Sequence, residues 1–152
     1  ASIVLPYDPV TDAVLLVEQV RMGPLARGDR ALWQLEPVAG RVDPGETPAE
    51  AAHREAQEEA GVTFTALLPL AETYASPGNS TEFHYIFLGL ADLSGADQAL
   101  GGLADEAEDI RTHVIPFAEL MQMIAGMQVC NAPLLVAGLW LSQHRERLRA
   151  SA

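Results

Sequence analysis

The stretch GRVDPGETPAEAAHREAQEEAGV, residues 40–62, decides how this chain folds. Within it Thr47-Pro48-Ala49-Glu50 carries a capping threonine, a proline at the first helical position and a glutamate at the third, and Gly61 supplies a stop. The sequence therefore predicts a helix over Pro48–Ala60. At about 100° per residue, Ala49, Ala52, Ala56 and Ala60 form one narrow stripe of small side chains, the face expected to pack on a sheet. Glu55 and Glu59 lie together at the edge of that stripe, and Glu58 reaches the same neighbourhood, so three carboxylates converge. Glu58 and Glu59 also sit in the last turn, where the helix dipole disfavours each anion by roughly 0.3–1 kcal/mol. An arrangement so unfavourable locally marks a candidate functional site, because a divalent cation turns the repulsion into attraction. All-oxygen ligands select hard cations such as Mg²⁺ or Mn²⁺, and Mg²⁺ held by few protein ligands commonly acts together with substrate phosphates. For the three glutamates alone, a solvated acidic helix face is the competing reading.

Outward from this helix, residues 2–7 and 13–21 are apolar, β-branched runs separated by Asp8-Pro9-Val10-Thr11-Asp12, the pattern of an antiparallel hairpin. Residues 33–35 and 38–42 read as short strands closed by Asp43-Pro44-Gly45. Residues 62–74 and 81–91 are rich in β-formers and are split by Ser76-Pro77-Gly78-Asn79; residues 110–115 add one more strand. Residues 117–125 and 132–149 have helical periodicity. Between the last strands, residues 94–109 are Gly-rich and acidic without periodicity, a loop carrying Asp105, Glu106, Glu108 and Asp109. Strands, helix, strands and helices in this order imply an α+β fold, a mixed β-sheet between helices in an α/β/α sandwich, as a single domain over residues 1–152.

The net charge of −12 argues against nucleic acid as a partner, since binding it needs a basic face. A phosphorylated small molecule would need metal ions or placed arginines to offset the repulsion. All nine basic residues are arginine, which a compositional bias explains, and three of them, Arg145, Arg147 and Arg149, crowd the C-terminal end. No apolar run approaches the ~18 residues of a membrane span. Cys130 is the only cysteine, so no internal disulfide is available, and a cytoplasmic location is the expectation. The start of the chain has no basic leader or small-residue cleavage site, and its first residue is not Met.

Gly40, Glu46, Arg54-Glu55-Ala56-Gln57-Glu58-Glu59 and Gly61-Val62 occupy every fixed position of the pattern G-x5-E-x7-R-E-U-x-E-E-x-G-U, with U apolar. The chain thus resembles the Nudix hydrolase superfamily, which uses this box to bind divalent metal and hydrolyse nucleoside diphosphates linked to another moiety. Seven fixed residues at frequencies of about 7% make a chance match on the order of one in a million. Ser76-Pro77-Gly78, beyond the box, is similar to the mark of the ADP-ribose pyrophosphatases. Val17-Glu18-Gln19-Val20-Arg21, Trp33-Gln34-Leu35-Glu36, the segment from Gly102 to Ile110, and Asn131-Ala132 also resemble bacterial members of that group.

The resemblance implies Mg²⁺-dependent hydrolysis of ADP-ribose to AMP and ribose 5-phosphate, with Mn²⁺ as a substitute ion. It implies Glu55, Glu59, the Ala39 carbonyl and Glu108 as metal ligands. Glu58 assists, Arg54 orients a box glutamate, Glu106 is the general base, and Gly40 and Glu46 shape the loop that delivers Ala39. Arg21 would hold a phosphate or ribose, Glu82 would accept from the terminal ribose hydroxyls, and Ser76 with Gly78 would let backbone come close. Two rival readings are a pyrophosphatase for another nucleotide sugar, such as a GDP-hexose, and a non-catalytic ADP-ribose sensor, though such sensors typically lose the box glutamates kept here. Members of this type carry further N-terminal strands that help to build a homodimer and part of the adenine pocket, and the present sequence begins after them.

Overall fold

The computed structural model describes residues 1–102 and 109–151. Strands β1 (Ser2–Asp8) and β2 (Ala13–Val20) form the expected hairpin, but they pair only near the turn, at Tyr7 with Val14 and Asp8 with Ala13. Beyond that point they splay, and the next segment fills the fork. Strand β3 (Trp33–Glu36) runs along β2, and after Pro37 strand β4 (Val38–Gly40) runs back along β1. The two short strands expected from the sequence therefore pair with the hairpin arms instead of each other.

The sheet continues with β5 (Ala66–Tyr74), β6 (Phe83–Leu90), β7 (Leu100–Gly101) and β8 (Ile110–Pro116), in the order β5-β6-β1-β2-β8-β7. Among the described residues only β1 and β6 run parallel, so the sheet is mixed. Its alternating strands bury both faces. Ile3, Leu5, Tyr7, Val14 and Leu16 face the layer made by α3 (Phe117–Ala125) and α4 (Ala132–Ala150), where Leu120, Leu134 and Leu141 complete one core. Val4, Leu15, Val17 and Val38 face α2 (Pro48–Ala60) on the other side, where Ala52, Ala56 and Ala60 complete a second. This is the three-layer sandwich that the element order predicts.

Local differences have local causes. Helix α1 (Met22–Arg27) has no counterpart in the sequence pattern: it is six residues long, buries none of them and contains Gly23-Pro24. The stripe on α2 is turned by a residue or two, so that Ala51 is buried and Ala49 exposed. Residues 62–65 precede β5 without joining it, because Gly61 takes the left-handed conformation (φ 64°) and Val62 drops into the core. Within the expected acidic loop, Leu100–Gly101 pairs with β8. A Cβ on Gly101 would stand 1.9 Å from the Glu59 carbonyl oxygen, so this strand lies directly on the end of α2. Among the described residues no helix is long and apolar enough to cross a membrane.

The hairpin turn anchors α4. Asp12, at φ 59°, accepts from the buried Tyr7 hydroxyl at 2.9 Å, from Arg145 Nε at 2.7 Å and from Arg149 at 3.2 Å. The Arg145 guanidinium holds the Asp12 carboxyl below its ordinary value of 3.8 against the opposing effect of burial. A carboxylate with a depressed folded pKa contributes stability above its unfolded pKa and loses it as the pH falls through the folded one. Asp12→Asn is therefore expected to destabilise the fold by about 1–2 kcal/mol at neutral pH. The difference in melting temperature from the parent should shrink on acidification below about pH 4; a gap that widens there would remove Asp12 as the anchor.

Candidate functional site

Several loops converge at the open end of the fork. Gly40 lies opposite Ser2 at the start of β1, and Val20 lies opposite Trp33, so Arg21 leaves β2 at this end too. Ser2 also pairs with Tyr85, which puts the β5–β6 connection, including Ser76, Gly78 and Glu82, beyond the same edge. Strand β8 begins here, with Arg111 opposite Glu18 and Ile110 opposite Gly101 of β7.

Helix α2 brings its carboxylates to this edge. Thr47 accepts from the Glu50 amide at 3.2 Å while Glu50 accepts from the Thr47 amide at 2.8 Å, closing the capping box that sets the helix phase. In that phase Glu55 and Glu59 point inward and are buried, Glu59 to 1% exposure. Glu59 Oε2 accepts from the Ala39 amide at 3.2 Å, joining helix to β4. Glu55 lies over Gly40: a Cβ on that residue would come within 1.7 Å of Glu55 Oε1. Glycine at position 40 thus makes a cradle for a carboxylate. Because the clash is with the far end of a flexible side chain, Gly40→Ala should fold with a nearly unchanged melting temperature while losing at least about tenfold in catalysis by displacing Glu55. A large fall in melting temperature with kcat kept at permissive temperature would make Gly40 purely structural.

Arg54 organises the rest. Its Nε and one terminal nitrogen donate to Glu46 at 3.0 and 3.1 Å, and the latter also to the Arg41 carbonyl at 2.9 Å. The other terminal nitrogen donates to Glu55 at 2.7 Å and to Glu58 at 2.9 Å. The hydrogen bond to Glu46 is the largest of the effects that raise the Arg54 pKa, and the same bond holds the Glu46 carboxyl below its usual range. Glu46, expected only to shape a loop, is thus the main partner of the orienting arginine.

The structure brings Ala39, Glu55, Glu58, Glu59 and Arg54 together as a connected set. Among the described residues no three His, Cys, Asp or Glu side chains close around one metal-sized point, since Glu55 and Glu58 are drawn to Arg54. The donor set nevertheless fits a hard divalent cation: two buried carboxylates share the edge of one helix beside a glycine cradle, with no basic residue in the last helical turn. Arg21 is gripped by the buried Glu36, Nε to Oε2 at 3.0 Å and a terminal nitrogen to Oε2 at 2.6 Å. Sequence reasoning does not single out Glu36, although a glutamate in a short, otherwise half-buried strand is a visible signal. Ser76, Gly78 and Glu82 are exposed on their loop, Glu82 beside His84 Nε2 at 3.0 Å. Glu106 and Glu108 lie outside the described residues, but the flanking Gly102 donates its amide to the Glu58 carbonyl at 3.0 Å.

Comparison with known proteins adds relatives to this geometry. The model of the NUDIX domain matches residues 1–135. An ADP-ribose pyrophosphatase of Escherichia coli K12 is 38% identical over 149 residues, covering 98% of this chain and 70% of the relative. A GDP-mannose pyrophosphatase of Enterobacter sp. strain 638 is 31% identical over 133 residues, covering 88% of this chain and 68% of the relative. In fold the chain is similar to a solved structure described as an ADP compounds hydrolase, with a TM-score of 0.69 at 24% identity over 93% of this chain and 72% of the other.

Proposed function

The chain belongs to the NUDIX domain family, and from that footing we propose that it is a Nudix hydrolase that cleaves the pyrophosphate bond of ADP-ribose to give AMP and ribose 5-phosphate. One observation carries this reading: Glu55 is cradled over Gly40 while Glu59 is buried against Ala39, so the box glutamates are held for use at the mouth of the fork.

In this reading the Glu55 and Glu59 carboxylates, the Ala39 carbonyl and Glu108 hold Mg²⁺, or Mn²⁺ in its place, with Glu58 assisting. Such an ion, when bound, offsets negative charge on the phosphates and lowers the pKa of a water. Arg54 fixes Glu55 and Glu58 in position. Glu106 accepts the proton of the water whose oxygen attacks a phosphorus as the bridging P–O bond breaks. Gly102, four residues before Glu106, donates its amide to the Glu58 carbonyl at the end of α2. Arg21, oriented by Glu36, meets a phosphate or ribose, Glu82 accepts from the terminal ribose hydroxyls, and Ser76 with Gly78 lets backbone come close. A homodimer and a cytoplasmic location complete the proposal, with sedimentation and fractionation as their tests.

The GDP-mannose pyrophosphatase relative favours one second reading, the same chemistry on a GDP-hexose. A Mg²⁺-dependent assay on ADP-ribose, NADH, GDP-mannose and diadenosine polyphosphates separates the two. The highest kcat/KM is expected with ADP-ribose, releasing AMP. Preference for GDP-mannose would select the second reading, and binding of ADP-ribose without turnover would make the chain a sensor despite its intact box.

A further inference from the structure

We propose that His84 is a positioning residue, which holds the Glu82 carboxylate ready for the terminal ribose of the substrate. The inference rests on the reading that Glu82 accepts from the ribose hydroxyls, and it adds the group that makes this acceptor rigid.

The backbone around Glu82 is fixed by the chain itself. At the turn between β5 and β6 the Asn79 and Ser80 amides donate to the Ser76 carbonyl at 3.1 and 2.9 Å. The Ala75 amide donates to the Glu82 carbonyl at 3.0 Å, and the Glu82 amide donates to Ser80 Oγ at 3.1 Å. What these bonds leave loose is the side chain. Glu82 stands just before β6 with 56% of its side chain exposed. A glutamate so exposed samples several rotamers, and ordering it only when a ligand arrives weakens binding about two- to tenfold.

His84 removes that freedom. Its Nε2 lies 3.0 Å from Glu82 Oε1, while only 12% of its own side chain is exposed. The ring is carried by a paired strand and not by the loop, since His84 stands opposite Thr73 in the ladder of β5 and β6. Among the described residues no other group hydrogen-bonds to the Glu82 carboxylate, and none bonds to His84 Nδ1. Nothing in that set competes for the tautomer with its proton on Nε2, the one that donates to Glu82. A carboxylate offers about four acceptor positions. His84 occupies one on Oε1, and Oε2 stays open to the neighbouring hydroxyls of a ribose.

A contact to the terminal ribose is remote from the bond that breaks, so it acts on ground and transition states alike and shows in KM. His84→Ala is expected to raise KM for ADP-ribose about fivefold with kcat nearly kept. His84→Gln, which can present an amide N–H to Glu82, should recover most of that loss. The coupling separates positioning from a structural role: in a Glu82→Ala background, His84→Ala should change KM by less than about twofold. Products then locate the effect. In calorimetric titrations His84→Ala should weaken ribose 5-phosphate about fivefold and leave AMP unchanged. An unchanged KM in His84→Ala, additive effects in the double variant, no recovery in His84→Gln, or an equal loss of AMP and ribose 5-phosphate each overturns the assignment. Calorimetry needs no turnover. If no nucleoside diphosphate sugar is hydrolysed, yet His84→Ala weakens ribose 5-phosphate in the parent and not in Glu82→Ala, the catalytic reading fails and the positioning role stands. A parent that neither turns over nor binds ribose 5-phosphate overturns both.

Discussion

Glu59→Gln is expected to lower hydrolysis by a factor on the order of 10²–10³ or more, because a neutral amide is a poorer ligand than a carboxylate for the hard cation that would offset charge on the phosphates. The substitution keeps shape and an oxygen that can accept from the Ala39 amide, the 3.2 Å bond that ties α2 to β4. What it removes is charge. Glu59 is 1% exposed, it lies in a last helical turn that contains no basic residue, and Glu55 sits one turn before it. A buried anion there works against both desolvation and the helix dipole. Without divalent metal the variant should therefore melt at the parent's temperature or slightly above it, and the rise in melting temperature that Mg²⁺ gives the parent should largely vanish. Activity and metal response would be lost together while the fold is kept. If the metal-free variant instead melts far below the metal-free parent, Glu59 is a structural group and the account of the helix fails.

The acidic turn is legible in the sequence because its determinants are local. The capping box of Thr47 and Glu50, the stop at Gly61 and the positions of Glu55, Glu58 and Glu59 are all set by neighbours in the chain. The apolar, β-branched runs that make β1 and β2 are local as well, and so is their turn. The fork is not: nothing in residues 33–40 says that β3 and β4 pair with separated arms of an earlier hairpin, because strand partners are chosen by long-range packing. The cradle at Gly40 is legible as a glycine and no more, since its purpose depends on a carboxylate fifteen residues later folding back over it. The phase of α2 differs from the sequence expectation by a residue or two for a related reason. With alanines at 49, 51, 52, 56 and 60, several stripes satisfy the periodicity, and contact with the sheet chooses the one through Ala51 and Ala52. Helix α1 eludes the pattern because it buries no residue and so has no apolar face to read.

Arg54→Ala is expected to give the largest loss of stability at the site and to reduce catalysis with it. Its guanidinium bonds to three carboxylates, Glu46, Glu55 and Glu58, and to the Arg41 carbonyl, with 32% of its side chain exposed. Removing it leaves the three anions facing one another. Loss of one partner from a fully buried pair costs about 3–5 kcal/mol, so this partly exposed network should lose about 2–3 kcal/mol, or roughly 5–10 °C in melting temperature. Arg54→Lys should recover little, because an ammonium cannot fork between Glu46 and the pair formed by Glu55 and Glu58. The pH dependence gives a second readout. Glu46 is held below its usual range chiefly by the hydrogen bond from Arg54, so that part of the stability exists above the unfolded pKa and disappears as the pH falls through the folded one. Parent and variant should therefore converge in stability as the pH falls below 4.5, the ordinary value of the Glu46 carboxyl, and differ most near neutrality. A role confined to stability would lower the melting temperature yet leave kcat intact at a temperature where both proteins are folded. A role in holding Glu55 and Glu58 for catalysis lowers kcat there as well, and that is the expected result.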